Sequence, residues 1–465
     1  MPLPTPVGKQ KEVLYLPAEG HFVVLGTAGS GKTTLAILRS AYLADPDTDH
    51  CGPTLLVTFN LALVAYLRHL QDRELEQVIV ENYHKFARGY LHSRGKMRPN
   101  GICDNDLRKA LVQQAVAKVA ADYEPHPLFE KNIEVLVDEI SWMSKHGIYS
   151  TEAYEAVERI GRTGVRIERR LRPIMFKIFH AYRSLRADSG KDYDWDDLSS
   201  AVCQELDLDT TERRYRHIVI DEGQDFSPEM VRSLVKAIPK NGSITFFGDI
   251  AQQIYGHSMS WKSAGLRITS VWEFRDNFRN TKQIAKLALA ISAMPYFRDV
   301  QEELVEPTSP TADGPLPTIV RCSSIQREIG LAVSQAKTAS TTLSVAILLR
   351  KRRDEEMIKG LLPRNSVRLD RDMTTWQAGP GIRYGTYHAA KGLEFDMIIL
   401  PFCSKDRLPD PEAVDTFGVD EAIAEDGRLL YVGTTRAKTR LIMTYNGELT
   451  DLLPVDHALY ERVNL

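Results

Sequence analysis

No two of the five cysteines, Cys51, Cys103, Cys203, Cys322 and Cys403, stand close enough to form a CxxC pair. This absence removes a zinc knuckle and a disulfide framework from consideration, and lone thiols of this kind fit a reducing compartment. Long apolar runs are missing as well, since no stretch approaches the ~20 residues that a membrane-spanning helix needs. The start, Met1 to Gly8, lacks the charged and apolar regions of a secretion signal. Together these absences predict a cytoplasmic protein. Excess charge of one sign is also lacking: 59 Lys and Arg face 62 Asp and Glu, for a formal net charge of -3. A uniformly basic nucleic-acid binder is disfavoured, whereas a localised basic groove remains open. There is no repeat of fixed period. A chain that is 43% hydrophobic and 26% charged is ordinary globular composition. Its 465 residues suggest roughly two to four domains.

What is present is a set of short apolar runs: His21–Leu25, Thr54–Thr58, His217–Ile220, Ser243–Phe247, Leu343–Leu349 and Asp396–Pro401. Each is too short for a helix, and continuous rather than alternating apolarity predicts strands buried on both faces, as in a parallel sheet. Amphipathic helical stretches such as Thr34–Leu43 and Leu61–Leu70 lie between them, so the chain reads as α/β. From about Tyr90 to Leu206 the periodicity is helical, with almost no strand-like runs. The stretch Val305–Pro317 carries Pro307, Pro310, Pro315 and Pro317 and reads as a linker. The expected architecture is two α/β cores with a helical insertion in the first.

Gly26 to Thr33 reads GTAGSGKT and fits G-x-x-x-x-G-K-[ST] at every fixed position, after an apolar strand and before a helical run. Gly26, Gly29 and Gly31 let backbone N–H groups approach phosphate oxygens. The following helix N-terminus, with Ser30 and Thr34 beside it, favours an anion. Lys32 is expected to reach the β- and γ-phosphates of ATP, and the Thr33 hydroxyl to ligate Mg²⁺. The strand His217–Ile220 runs straight into Asp221 and Glu222. Asp221 is the expected second Mg²⁺ holder, and Glu222 the group that orients and deprotonates the attacking water. Phosphoryl transfer depends on such positioned charge more than on covalent chemistry.

The order of the remaining motifs resembles the superfamily 1 helicases of the UvrD/Rep/PcrA type, from Gln10 to Ala437. Gln10, 22 residues before Lys32, resembles the family's adenine-reading glutamine; an amide both donates to and accepts from one adenine edge. Thr58-Phe59-Asn60 and Tyr83-His84-Lys85-Phe86 resemble two strand-contact motifs. The resemblance thus implies that Phe59, Asn60 and His84 touch single-stranded DNA, although core packing of Phe59 and Phe86 is the alternative. IVIDEGQDF, Ile218 to Phe226, matches the Asp-Glu motif, with Gly223 in place of the usual bulky residue. In FGDIAQQIY, Phe247 to Tyr255, the resemblance gives Gln252 a γ-phosphate contact and Tyr255 a place on the DNA path. Trp261 is the candidate base-stacking aromatic. In NFRNT, Asn277 to Thr281, Phe278 replaces a tyrosine that stacks on adenine, and Arg279 is the implied first arginine finger. YHAAKGLEF, Tyr387 to Phe395, implies His388 and Lys391 near DNA and Glu394 on the ribose. LLYVGTTRAK, Leu429 to Lys438, implies Arg436 as the second finger.

The family resemblance implies two RecA-like domains. Residues 1–90 and 207–275 form the first (1A), 91–206 the helical insertion (1B-like), and 276–465 the second (2A). Only 112 positions separate Arg279 from Lys391, so the 2B domain of longer relatives is absent or minimal. Arg159 to Arg186 holds nine basic residues and one acidic residue, with Phe176, Phe179 and Tyr182 interleaved. This composition suits a strand-tracking groove, or a solvated helix with an apolar core face. The implied function is an ATP-dependent helicase or translocase on single-stranded DNA or a tailed duplex, with 3′-to-5′ polarity. The alternative is a DNA-stimulated ATPase subunit regulating a partner nuclease, as in Gabija-like antiphage modules. A small-molecule kinase would use the same loop but leaves the later motifs unexplained.

Overall fold

The structure, a computed structural model, describes residues 5–27, 29–74, 77–157, 167–249, 261–277, 279–296, 310, 312–370, 376–377 and 379–465. Two all-parallel sheets form its frame. The first contains β1 (Gly20–Gly26), β2 (Thr54–Thr58), β3 (Val78–Asn82), β4 (His217–Ile220), β5 (Ser243–Asp249) and β6 (Val271–Phe274), in the order β3-β2-β4-β5-β1-β6. The second contains β7 (Thr318–Cys322), β8 (Ser344–Leu349), β9 (Val367–Arg368), β10 (Gly381–Thr386), β11 (Phe395–Leu400), β12 (Ala437–Asn446) and β13 (Glu461–Asn464), in the order β13-β7-β12-β11-β8-β10-β9. The six apolar runs singled out in the sequence are β1, β2, β4, β5, β8 and β11, to within a residue or two at their ends.

Continuous apolarity has the expected cause. Side chains alternate between faces of a strand, and here both faces are covered. Leu55, Val57, Ile218, Ile220, Ile244 and Phe246 enter one core. Their neighbours Leu56, Val219 and Phe247 enter another, against Leu35, Leu43 and Val64 of the flanking helices Lys32–Ala44 and Leu61–Glu74. The second sheet divides likewise, with Ala346, Leu348, Ile398 and Leu400 on one side and Val345, Ile347, Leu349 and Ile399 on the other.

Between β3 and β4 the chain is helical among the described residues. Helices Asn105–Ala120, Ile133–Lys145, Thr151–Ala156 and Arg172–Asp188 surround a separate core that includes Val112, Ile140, Met175 and Ile178. The helix Leu198–Leu208 instead packs Leu198, Val202 and Leu206 onto the core of the first sheet.

Of the two readings of Arg159 to Arg186, the described residues favour a solvated helix with an apolar core face over a strand-tracking groove. Arg159, Arg162 and Arg166 lie outside the described residues. Of the rest, Phe179 and Tyr182 are buried and Phe176 packs against the same core. Arg172 is buried and donates to the carbonyls of Tyr154, Glu155 and Val157. Arg186 is buried between Asp194 and Asp197. The helix uses its aromatic and half of its basic side chains to close its own core. Among the described residues no helix is long and apolar enough to cross a membrane.

Candidate functional site

In a parallel α/β sheet, ligands bind at the carboxyl edge of the strands. Here that edge gathers five loops. β1 ends in the loop 26–31, β2 in Phe59 and Asn60, β3 in the helix Tyr83–Ser93, β4 in Asp221 and Glu222, and β5 in Asp249 itself. Gly29 and Gly31 have φ of 84° and 82°, a region where a β-carbon is strained. A β-carbon at Gly29 would also lie 2.3 Å from Asn277 Oδ1. Lys32, first residue of its helix, folds its ammonium back onto the carbonyls of Gly26 (2.9 Å) and Thr27 (2.8 Å) and lies 3.5 Å from Asp249 Oδ2. Gln10 donates to the Ser30 carbonyl at 3.2 Å, which places the amide against the loop.

Asp221 is buried, and the Thr33 hydroxyl hydrogen-bonds to it. Burial first, and the neighbouring Glu222 second, push its carboxyl up to about 7. Its Oδ2, the Ser30 hydroxyl and the Thr27 hydroxyl are all buried with no hydrogen-bond partner. Three orphaned polar groups beside a glycine-rich loop fit a magnesium nucleotide, because buried oxygens of this kind require a partner. Glu222 is held at φ 52°, a conformation that costs a non-glycine residue about 1–3 kcal/mol and that clusters at functional sites. Gln224 fixes it: its amide donates to Glu222 Oε2 and accepts from the Asp249 backbone N–H at 3.0 Å.

Gly223 stands where the resemblance expects a bulky residue, and the structure explains the change. A β-carbon there would lie 2.3 Å from the Phe246 ring, so the phenyl group occupies that space. We expect Gly223→Leu to cost about 1–3 kcal/mol through overpacking. Adding Phe246→Ala should recover part of that loss. Urea midpoints of the single and double variants check this, and strictly additive losses would contradict a shared space.

The second domain closes over the first. Lys391 Nζ forms a 2.8 Å ion pair with Asp225. Asn60 donates to the carbonyls of Lys391 and Ala389, and its Oδ1 accepts from Ala62 N at 2.9 Å. Asn60 thus stands at the domain seam. Arg279 pairs with Glu394 at 2.6 Å. Burial by itself pushes the Glu394 carboxyl up, but Arg279, Lys438 and Arg436 outweigh it and hold the group below its ordinary value. Arg436 is buried directly after the helix Val419–Thr435, with Nε donating to the Val432 carbonyl at 3.2 Å. Burial lowers its guanidinium pKa and nearby Arg279 adds to this, while Glu222 and Asp249 across the seam oppose it. The acids of one domain and the arginines of the other therefore share one electrostatic site. Gln252, Tyr255 and Phe278 lie outside the described residues.

Beside this site runs a groove of about 2120 Å³, lined by both domains and by the insertion. Phe59 and Trp195 project into it, 36% and 37% exposed. His84 lies between them, with ring centroids 5.3 Å from Phe59 and 5.1 Å from Trp195. His388 and Lys391 of the second domain also line it. On the helix Tyr83–Ser93, capped by Asn82, the residues His84, Arg88 and His92 form a basic stripe facing the groove.

Trp261 lies elsewhere. It does not line the groove, and its ring packs edge-on against Phe246 at 5.1 Å. Trp195 was missed in the sequence. The available signal was an aromatic set among the acids Asp194, Asp196 and Asp197, which Arg186, Arg108 and Lys145 hold inside the insertion.

Residues 7–271 match the family model of the UvrD/REP helicase N-terminal domain, and residues 355–448 match that of the UvrD-like helicase C-terminal domain. The chain belongs to the UvrD/REP helicase family. Its UvrD/REP match takes in the glycine-rich loop, the Asp-Glu pair and the groove helix, and the C-terminal match takes in Lys391, Glu394 and Arg436. It is 24% identical over 254 residues to the putative ATP-dependent DNA helicase YjcD of Bacillus subtilis, covering 51% of this chain and 31% of that protein. It is 23% identical over 379 residues to a probable DNA helicase II homolog of Mycoplasma genitalium, covering 72% and 50%. Over 561 residues it is 23% identical to the ATP-dependent DNA helicase UvrD2 of Mycobacterium tuberculosis, covering 94% and 78%. The chain spans at most half the length of the first two relatives.

Proposed function

We propose that this chain is an ATP-driven motor on single-stranded DNA, a helicase or translocase with the 3′-to-5′ polarity that its family resemblance implies. The observation that carries this reading is the shared seam. The glycine-rich loop and Asp-Glu pair of one domain face Arg279 and Arg436 of the other, and the groove with Phe59, His84 and Trp195 crosses the same boundary. The first motor domain is taken as residues 1–90 and 207–275, the insertion as 91–206 and the second motor domain as 276–465.

Each residue has a role in this reading. Gln10 reads adenine, with Phe278 stacking on the base and Glu394 on the ribose. The loop Gly26–Thr33, with Ser30 and Thr34, cradles the phosphates, and Lys32 leaves the loop carbonyls to meet them. Thr33 and Asp221 hold Mg²⁺, which when bound neutralises phosphate oxygens. Glu222 takes a proton from the attacking water, in an orientation set by Gln224. Arg279 and Arg436 bring positive charge to the phosphoryl oxygens, and Gln252 senses them. Phe59, His84, Trp195, His388 and Lys391 contact the strand, with Tyr255 on the same path. Asn60 ties that path to the seam.

The reading includes a motor whose 2B domain is absent or minimal. Among the described residues between Arg279 and Lys391, every strand belongs to the second sheet. The 561 positions aligned with the mycobacterial protein exceed the 465 residues of this chain, so that relative carries inserted sequence. In this reading the motor works in the cytoplasm, as the sequence analysis expects.

The test is steady-state ATP hydrolysis without nucleic acid and with single-stranded DNA, duplex DNA or single-stranded RNA, followed by strand separation on a 3′-tailed duplex. We expect stimulation by single-stranded DNA. Turnover indifferent to every nucleic acid would refute the motor. Stimulation without unwinding would support the translocase form, or a regulatory subunit acting with a nuclease partner. Trp195→Ala is expected to weaken single-strand affinity about tenfold, since one base stack is worth about 1–3 kcal/mol. Fluorescence anisotropy at fixed salt measures it, and unchanged affinity would remove Trp195 from the path.

A further inference from the structure

Arg279 and Arg436 come from loops far apart in sequence, yet one buried side chain joins them. Asn280, 2% exposed, donates from Nδ2 to the carbonyls of Thr435 (3.2 Å) and Ala437 (2.5 Å), the residues on either side of Arg436. Its Oδ1 accepts from Asn277 Nδ2 at 2.9 Å. Asn277 Oδ1 in turn accepts the backbone N–H groups of Arg279 (3.0 Å) and Asn280 (3.1 Å). The Thr281 N–H adds a bond to the Lys438 carbonyl at 3.1 Å. The face of this clasp meets the phosphate loop, because a β-carbon at Gly29 would strike Asn277 Oδ1.

A carboxamide is the side chain this position needs. It has donor hydrogens for two carbonyls at one end and an acceptor for Asn277 at the other. A carboxylate of the same shape would turn one oxygen, with no hydrogen to donate, toward two carbonyl oxygens.

We infer that Asn280 is a positioning residue that locks the loops of Arg279 and Arg436 into one unit, so that both guanidinium groups reach the same phosphoryl group together. This rests on the reading of Arg279 and Arg436 as arginine fingers. Placement matters because an error of about 1 Å in a reacting geometry costs about 10²-fold in rate, whereas nucleotide affinity comes mainly from the glycine-rich loop. Loss of the clasp therefore lowers kcat and leaves KM for ATP nearly unchanged.

The experiment uses the full chain with saturating single-stranded DNA and compares Asn280→Asp, Asn280→Ala, Arg279→Ala, Arg436→Ala and the Arg279→Ala/Arg436→Ala pair, with the arginine variants made also in the Asn280→Ala background. Both Asn280 variants are expected to lose about 10- to 100-fold in kcat, with KM for ATP within about twofold. In the parent, the arginine pair should lose little more than the worse single variant, as residues acting as a unit do. In the Asn280→Ala background, the remaining losses from Arg279→Ala and Arg436→Ala should multiply independently. Near-parental kcat in Asn280→Asp, beside large losses in both arginine variants, would overturn the clasp. If neither arginine variant lowers kcat, the finger reading itself fails, which is a separate result. If Asn280→Asp does not fold, Asn280→Ala gives the same split, and equal losses in kcat, ATP affinity and DNA affinity would mark a merely structural role.

Discussion

Lys32→Ala should reduce ATP turnover by about 10²- to 10³-fold while leaving a folded protein. The size follows from what the ammonium does in the proposed site, where a preorganised cation acts on developing phosphoryl charge away from bulk water. The survival of the fold follows from the contacts it makes. Lys32 touches two loop carbonyls and Asp249 at 3.5 Å. Gly29 and Gly31, at φ of 84° and 82°, also shape the loop through their own backbone conformation. Losing these contacts costs about 1 kcal/mol net, a fall of roughly 2–4 °C in melting temperature for a domain of this size. Calorimetry and single-strand-stimulated hydrolysis separate the two. Parental turnover would remove Lys32 from the chemistry, and collapse of the melting transition would make it a structural residue.

Arg436→Ala should lower kcat about 10³- to 10⁵-fold, the range seen when an arginine finger is removed from a phosphoryl-transfer site. ATP affinity should fall much less, because Arg436 comes from the opposite domain and its main gain arises as charge builds on the phosphoryl oxygens. The guanidinium is anchored through Nε to Val432 and through Nη2 to the Thr435 hydroxyl. Arg436→Lys keeps a charge but loses that planar anchoring, so it should fall between parent and alanine. Nucleotide binding by titration beside single-turnover hydrolysis decides the matter, and equal losses in binding and chemistry would count against a finger.

Strands in the middle of each sheet were legible because burial on both faces demands unbroken apolar sequence. The edges were less so. β6 exposes Val271 and Glu273, β9 is two residues long, and β12 opens with the polar run Lys438-Thr439-Arg440 directly after Ala437. A strand that buries one face, or part of one, leaves a weaker trace in the sequence. In the site, the glycine-rich loop and the Asp-Glu pair were legible because their chemistry is local to a few adjacent residues. Asp249, Trp195 and Asn280 were not. Asp249 gains meaning from Lys32, 217 positions away, and Asn280 from carbonyls about 155 positions away. The long basic run misled for a related reason. Composition there resembles a nucleic-acid groove, whereas Arg172 and Arg186 are spent on carbonyls and carboxylates inside the insertion.

The strand order of the first sheet also governs its birth on the ribosome. β1, which carries the phosphate loop, lies between β5 and β6 among the described residues. Their residues run from Ser243 to Phe274, so β1 emerges more than 200 residues before anything can pair with it. At about 5–20 residues per second, synthesis from the end of β1 at Gly26 to the end of β5 at Asp249 takes roughly 11–45 s. Throughout that interval Phe22, Val23 and Val24 form an unpaired apolar edge on the nascent chain. The nucleotide site is encoded early and assembled late, and chaperone demand in translation should concentrate in that window.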